Sequence, residues 1–357
     1  MYHLLALVYL ANPVTSAPFL PFNTTTIFES LKNLELTAPQ EVAIKPSGSS
    51  NDVDPRFGLD IRWASAVPLT PLSVYMSAIE TLTLIVQQPF IGTQEPKTFE
   101  TPGYPEVFIR VTGGIFPEGG GELPNLPLPR KYAVWGIQQC LYQMGLRGLQ
   151  NLYTLSVCTL TYDSRPVGTV VFQPGMATLS PVASSAELLS PAASSLLVAR
   201  DDARQESGKH PRAVDSAQPS PDEITDQDPT SPNPITWVGK FEPLFALSPV
   251  TMPGFFTMLV FGLATMAEPD SSVRARPFTF DIDTMGVSLG LFVEERTTFP
   301  YMTNKWATFG FQRSARAGSD RVKQGQQLTQ MQGTVGLQQR GTTTTVKIGE
   351  VGVYTRD

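Results

Sequence analysis

At 357 residues and a formal net charge of −6, the chain is too long for a disulfide-stapled miniprotein and long enough for two lobes, each with its own core. The acidic balance excludes a general attraction to phosphate backbones or anionic membrane surfaces, so nucleic acid is not an expected partner. Charged residues make up only 16% and prolines number 32, which implies a chain rich in turns, loops and linker.

Residues 1–16 read as a signal peptide: the apolar run Leu4 to Ala11 is followed by a turn at Asn12-Pro13 and by the small residues Thr15, Ser16 and Ala17. Pro18 disfavours cleavage after Ala17 and places it after Ser16. The expected address is therefore secreted and extracellular. Asn23-Thr24-Thr25 is an N-glycosylation sequon in the irregular segment 17–54 that follows. The stretch Phe255 to Ala267 is too short to cross a bilayer, and no membrane span is expected.

An N-terminal lobe covers 55–173. Strict alternation over Leu59-Asp60-Ile61-Arg62-Trp63 predicts a strand with one buried face. Thr70-Pro71 then opens a helix, with Thr70 as its cap and Leu72, Tyr75, Met76, Ile79 and Val86 on one side. A strand over Glu106 to Val111 leads through a glycine-rich loop into a helix from Pro129. Strands over Leu152 to Thr161 and Val167 to Phe172 close the lobe as a hairpin around Tyr162 to Pro166.

Residues 174–234 lose their aromatics and fill with Ser, Pro, Ala and Asp, which predicts a disordered linker. A C-terminal lobe over 235–311 repeats the order: strand Trp237 to Leu247, a helix entered through Thr251-Met252-Pro253, and strands Phe278 to Asp283 and Val287 to Glu294. Residues 312–357 read as a polar tail rich in Gln, Gly and Arg that ends in a strand. The fold class is thus α+β, two related strand-helix-hairpin lobes with mostly antiparallel sheet. The repeat rests on element order and periodicity. A further possibility is that cleavage in the linker releases or activates one lobe.

Two cysteines, Cys140 and Cys158, stand on a helix and the strand after it; an oxidising compartment favours their pairing, and two buried free thiols are the alternative. The only histidines are His3, within the signal peptide, and His210, within the linker. An ordered lobe therefore has none for Ser-His-Asp or Cys-His catalysis, imidazole acid–base chemistry or His-ligated zinc, unless the linker folds back onto a lobe. Gly286-Val287-Ser288-Leu289-Gly290 matches a nucleophile-elbow pattern, but its period of two makes it a strand. Gly113-Gly114 and Gly119-Gly120-Gly121 lack the Gly-Lys-Ser/Thr ending of a phosphate loop, and Glu118 and Glu122 would repel an anion.

Asp281 and Asp283 remain as catalytic candidates, because two carboxylates two apart on a strand share a face and can share a proton or a cation. The competing reading is the wet side of an amphipathic strand, opposite Phe278, Phe280 and Ile282. No cofactor and no metal site is expected. Among the aromatics that could stack on a sugar or lipid, Trp63 and Trp135 sit in apolar periodic segments and Trp306 is the one expected at the surface.

Val134-Trp135-Gly136-Ile137 with the hairpin ending Arg165-Pro166-Val167-Gly168-Thr169-Val170-Val171-Phe172 resembles a group of uncharacterised secreted proteins of filamentous fungi. In that group an aromatic-Gly helix start precedes a hairpin with a Val-Gly pair and an apolar strand. The resemblance covers about Pro105 to Gln173, with Tyr162-Asp163 where a Trp-x-Gly turn is usual, and implies no activity or functional residue. The reading that follows is a secreted non-enzymatic interaction or binding protein for an extracellular macromolecule or glycan. The alternative is a carboxylate-dependent hydrolase acting on glycans across a cleft between the lobes.

Overall fold

Leu59, Ile61 and Trp63 are all buried on one face of β2 (Phe57–Pro68), while Asp60 and Arg62 between them are half-buried, as the pleat requires. The computed structural model describes residues 40–42, 53–115, 124–148, 153–175, 223–227, 236–243, 249–267, 271–338 and 344–355, with the backbone alone for 40–42, 223–227 and 236–243. Thr70 does precede helix α1 (Pro71–Val86), but makes no side-chain cap bond. The fixed φ of Pro71 and the burial of Val74, Tyr75, Ala78, Ile79 and Leu82 carry the helix start instead.

The N-terminal lobe comprises β1 (Gln40–Val42), β2, α1, β3 (Thr93–Gln94), β4 (Lys97–Glu100), β5 (Val107–Thr112), β6 (Leu128–Pro129), α2 (Arg130–Gly148), β7 (Thr154–Tyr162) and β8 (Arg165–Pro174). The β7–β8 hairpin turns through Asp163 and Ser164, both at positive φ (49° and 60°), the conformation that matches the twist of paired strands. The C-terminal lobe comprises β9 (Glu223–Gln227), β10 (Thr236–Pro243), α3 (Met252–Ala267), β11 (Phe278–Ile282), β12 (Val287–Val293), α4 (Asn304–Lys323), β13 (Met331–Gln338) and β14 (Thr345–Thr355).

Each lobe has a six-stranded sheet, antiparallel throughout, and the two have one topology. The first runs β1-β2-β7-β8-β5-β4 and the second, from the matching edge, β9-β10-β13-β14-β12-β11. Helices α1 and α3 follow the second strand of each order; α2 and α4 precede the third. The α+β class and the internal repeat are therefore both present.

Helices α1 and α2 cover one face of the first sheet, α3 and α4 one face of the second, and the helices meet each other in the middle. The layers run sheet, helices, helices, sheet, with one continuous apolar core. Tyr75 and Phe256 are each the fifth residue of equivalent helices and stack with ring centroids 5.5 Å apart, as residues beside an internal two-fold axis do. Gly136 and Gly310 are likewise equivalent. A Cβ on either would lie within about 3 Å of the sheet side chains beneath it, Leu160 for one and Val351 for the other, so both helices approach their sheets through glycine.

Three expectations are corrected. The C-terminal lobe does not stop at residue 311: α4 and β13 fill much of the stretch read as a polar tail, and the strand expected at its end, β14, pairs into the lobe's sheet. Much of the buried side of α4 is Gly310, Ser314, Ala315, Gly318 and Ser319, small residues that leave little apolar signal in the sequence. Strand β9 lies inside the stretch read as linker, and β1 inside the stretch read as irregular. Residues 1–16, Asn23 and most of 174–234 lie outside the described residues. No described helix is long and apolar enough to cross a membrane.

Candidate functional site

Each lobe presents a lysine and half-buried aromatics at the start of its second helix. Helix α2 begins Arg130-Lys131-Tyr132-Ala133-Val134-Trp135-Gly136-Ile137-Gln138; α4 begins Asn304-Lys305-Trp306-Ala307-Thr308-Phe309-Gly310-Phe311-Gln312. Lys, Ala, Gly and Gln coincide, and aromatic stands for aromatic at two further positions. The burial matches as well: Lys131 and Lys305, Trp135 and Phe309 are half-buried, and the residues between them are buried. This residue-level repeat was legible in the sequence, but a comparison of element order alone passes over it.

In the N-terminal lobe, buried Arg130 fixes the turn that leaves α1. Its guanidinium donates to the Pro89 carbonyl, to Gln88 Oε1 at 2.9 Å and to the Thr93 carbonyl at 2.7 Å, and its backbone N–H donates to the Gly92 carbonyl at 2.8 Å. Burial lowers its pKa from the usual arginine value. The turn so held carries Phe90 against Trp135 (6.0 Å between centroids) and leaves Ile91 96% exposed. A single exposed apolar side chain is ordinary on a protein surface; what distinguishes Ile91 is that it adjoins Phe90, which packs against half-buried Trp135.

Around Trp135 stand Phe57, Tyr132 and, beyond Tyr132, Tyr162. Lys131 Nζ lies 5.0 Å from the Tyr132 ring centre, 5.5 Å from that of Tyr162 and 5.9 Å from that of Trp135. Arg56 lies over Tyr162 at 4.6 Å and donates to Asp54, which also accepts from the Tyr162 hydroxyl at 2.9 Å. The hydrogen bonds from the Arg56 side chain and backbone hold the Asp54 carboxyl well below the usual carboxylate range. Desolvation raises the pKa of the Tyr132 and Tyr162 phenols.

The C-terminal face is built on the same plan. The Asn304 backbone N–H donates to the Val273 carbonyl at 3.0 Å, as that of Arg130 does to Gly92, and the Arg274↔Thr303 bridge stands where β3 pairs with β6. Val273 and Phe299 are each 48% exposed. Phe299 packs edge-on to Tyr301, Arg274 lies 5.6 Å from the Tyr301 ring centre, and Lys305 lies 5.7 Å from that of Trp306. Trp306 itself is only 5% exposed, against the sequence expectation; Trp135 and Phe309, one turn further along, are half-buried.

Asp281 and Asp283 are brought to no such face. Asp281 is exposed on edge strand β11, which ends at Ile282; Asp283 is exposed too and opens a 3-10 turn rather than continuing the strand. Gly286 ends that turn at φ +63°, and Ser288 lies within β12 opposite Asp281, so Gly286 to Gly290 is strand and no elbow. The described residues contain no histidine and no group of three or more His, Cys, Asp or Glu side chains placed to hold a metal. The space between the lobes is helix packing, with Tyr142 edge-on to Phe261 and Tyr75 on Phe256. Cys140 on α2 and Cys158 on β7 form a disulfide, with Cα atoms 6.5 Å apart.

No protein-family model matches the chain, and neither the curated proteins nor the solved structures contain a significant match to it.

Proposed function

We propose that this is a secreted, non-enzymatic binding protein that engages an extracellular macromolecule through the two lysine–aromatic faces at the starts of α2 and α4. The observation that carries this reading is Ile91, almost fully exposed on a turn clamped by buried Arg130 beside half-buried Trp135. Secretion is supported by the apolar run Leu4 to Ala11 and the small residues after it, and by the disulfide, which an oxidising compartment favours. The likeness of residues 105–173 to secreted proteins of filamentous fungi agrees with that address and adds no activity.

Ligands that bind only the folded state raise its unfolding midpoint. The test is thermal unfolding of protein from culture medium against neutral glycans, acidic glycans, phospholipid vesicles and divalent cations. A saturable rise that Lys131→Glu or Phe309→Ala reduces is the expected result. A rise indifferent to both variants, or turnover of a glycan that Asp281→Asn with Asp283→Asn abolishes, would replace this reading with the hydrolase one.

A further inference from the structure

We infer that residues 26–36, outside the described residues, dock as an amphipathic helix on the outer face of the first sheet, the face that α1 and α2 leave uncovered. That sheet is apolar on both sides. Ser156 donates to Met144 Sδ and Cys158 is bonded to Cys140, so these residues of β7 face α2, and Leu155 and Val157 face away. By the register, Val171 of β8 lies beside Val157, and Phe108 of β5 beside Gln173, on the same outer face. Yet Val157 and Val171 are 0% exposed, Leu155 1% and Phe108 5%, and none of the four belongs to the core between the layers. Gln173 is buried with them, and its Oε1 meets no donor among the described residues.

Side chains so dry lie under other atoms, and within a single chain those atoms are its own. Helices α1 and α2 occupy the opposite face. The loop at Gly114 and Pro124 reaches the outer face at its far end, where its carbonyls accept from Thr169 and Thr112. The duplicated fold supplies the control. On the matching strands of the second sheet the outer residues include Gln332, Thr334, Glu350, Tyr354, Ser288 and Phe292, each half-buried or exposed. An outer face of this fold is therefore wet unless something lies on it.

Residues 26–36 fit as that cover by pattern, reach and charge. Thr26 with Glu29 three residues on is a capping box, and Ile27, Phe28, Leu31 and Leu34 then share one side of a helix. Such a helix spans about 16 Å, against about 14 Å across the four strands β2, β7, β8 and β5. Gln40 pairs with Ile61 on β2, so residues 37–39 tether the segment within about 10 Å of the sheet edge. The row that holds Val157 and Val171 ends in Arg62 on β2 and Arg110 on β5, and the segment brings Glu29 and Glu35. In 176–222, by contrast, Pro191 parts Leu188 and Leu189 from Leu196 and Leu197.

The test is photo-crosslinking of the full chain, read by mass spectrometry, with hydrogen exchange alongside. Leu31→benzoylphenylalanine should join to residues 107–112 or 154–174, and the amides of 28–36 should exchange slowly in the parent. Leu31→Asp with Leu34→Asp should abolish that protection and open the sheet face, so that the protein binds an apolar dye and unfolds several degrees lower. Both changes lie outside the two sheets, so the lobes keep their shared core. A cross-link from position 31 to any other part of the chain, or exchange in 28–36 as fast as in denaturant, overturns the inference. A link to those strands from Leu197→benzoylphenylalanine alone overturns it too, and assigns the face to residues 176–222.

Discussion

Arg316 Nε donates to Glu80 Oε1 at 2.8 Å across the helix layers, and under the internal two-fold this contact is the mate of Tyr142 against Phe261. One crossing is closed by an ion pair and the other by an aromatic edge. Gln312 also donates to Glu80 on the ionic side. The symmetry of the backbone has therefore outlasted the chemistry of the side chains at its own interface.

Glu80→Ala removes the acceptor of both donors and should cost about 1–3 kcal/mol, the lower part of that range being favoured because Arg316 is partly exposed. Glu80→Phe with Arg316→Tyr copies the mate contact and should recover most of the loss. Denaturant unfolding of the single, double and parent proteins measures both; a double variant no better than Glu80→Ala would show the two crossings to be unlike in shape.

Cutting the chain should not part the lobes. Their helices share one core through Tyr75 on Phe256, Tyr142 on Phe261 and the Tyr104–Ser319 hydrogen bond. A protease site introduced within residues 176–222 and cleaved should give two fragments that co-elute under native conditions and separate only in denaturant. Native separation would mean that linker cleavage releases a lobe.

The disulfide closes a loop with a sequence separation of 18, which by chain entropy contributes about 3 kcal/mol. Cys140→Ala with Cys158→Ala should lower the thermal midpoint by several degrees, and reductant should do the same to the parent and nothing to the variant. An unchanged midpoint in the double variant would assign the pair no stabilising role.

Tyr75 and Tyr153 share a buried hydroxyl–hydroxyl bond of 2.8 Å. Burial pushes the Tyr153 phenol up to about 12 and raises that of Tyr75 well above its usual value. Both are acids held neutral by the fold, so their contribution is complete below the unfolded value of about 10 and is lost as pH rises toward the folded values. Stability should fall between about pH 10 and 12, and Tyr75→Phe with Tyr153→Phe should flatten that fall. Unfolding midpoints across the alkaline range decide it.

How much was legible varies element by element. Leu59-Asp60-Ile61-Arg62-Trp63 alternates so strictly that β2 could be read directly, and Thr70-Pro71 marked where α1 begins even though Thr70 makes no side-chain cap bond. Helix α4 is hard to read from sequence because Gly310 and Gly318 bury only by close approach, Gly310 to Val351 and Val335 of the sheet and Gly318 to Phe255 of α3. Trp306 is buried where the sequence reading expects it at the surface. Lysine beside Trp306 suggested exposure, yet position 306 turns inward with Tyr132, its equivalent, while Trp135 and Phe309 turn outward.

The sequence by itself determined the class, the order of strands and helices in the first lobe, and the pairing partners available to its two cysteines. Those properties are local: a period of two or 3.6, a count, a spacing. Only the tertiary structure decided that the lobes join helix to helix, that Asp281 and Asp283 stand exposed on and just past an edge strand, and that two helix starts far apart in sequence carry matching residues. These depend on which faces meet after the chain has folded, and burial against a partner 200 residues away leaves no mark on a residue's immediate neighbours.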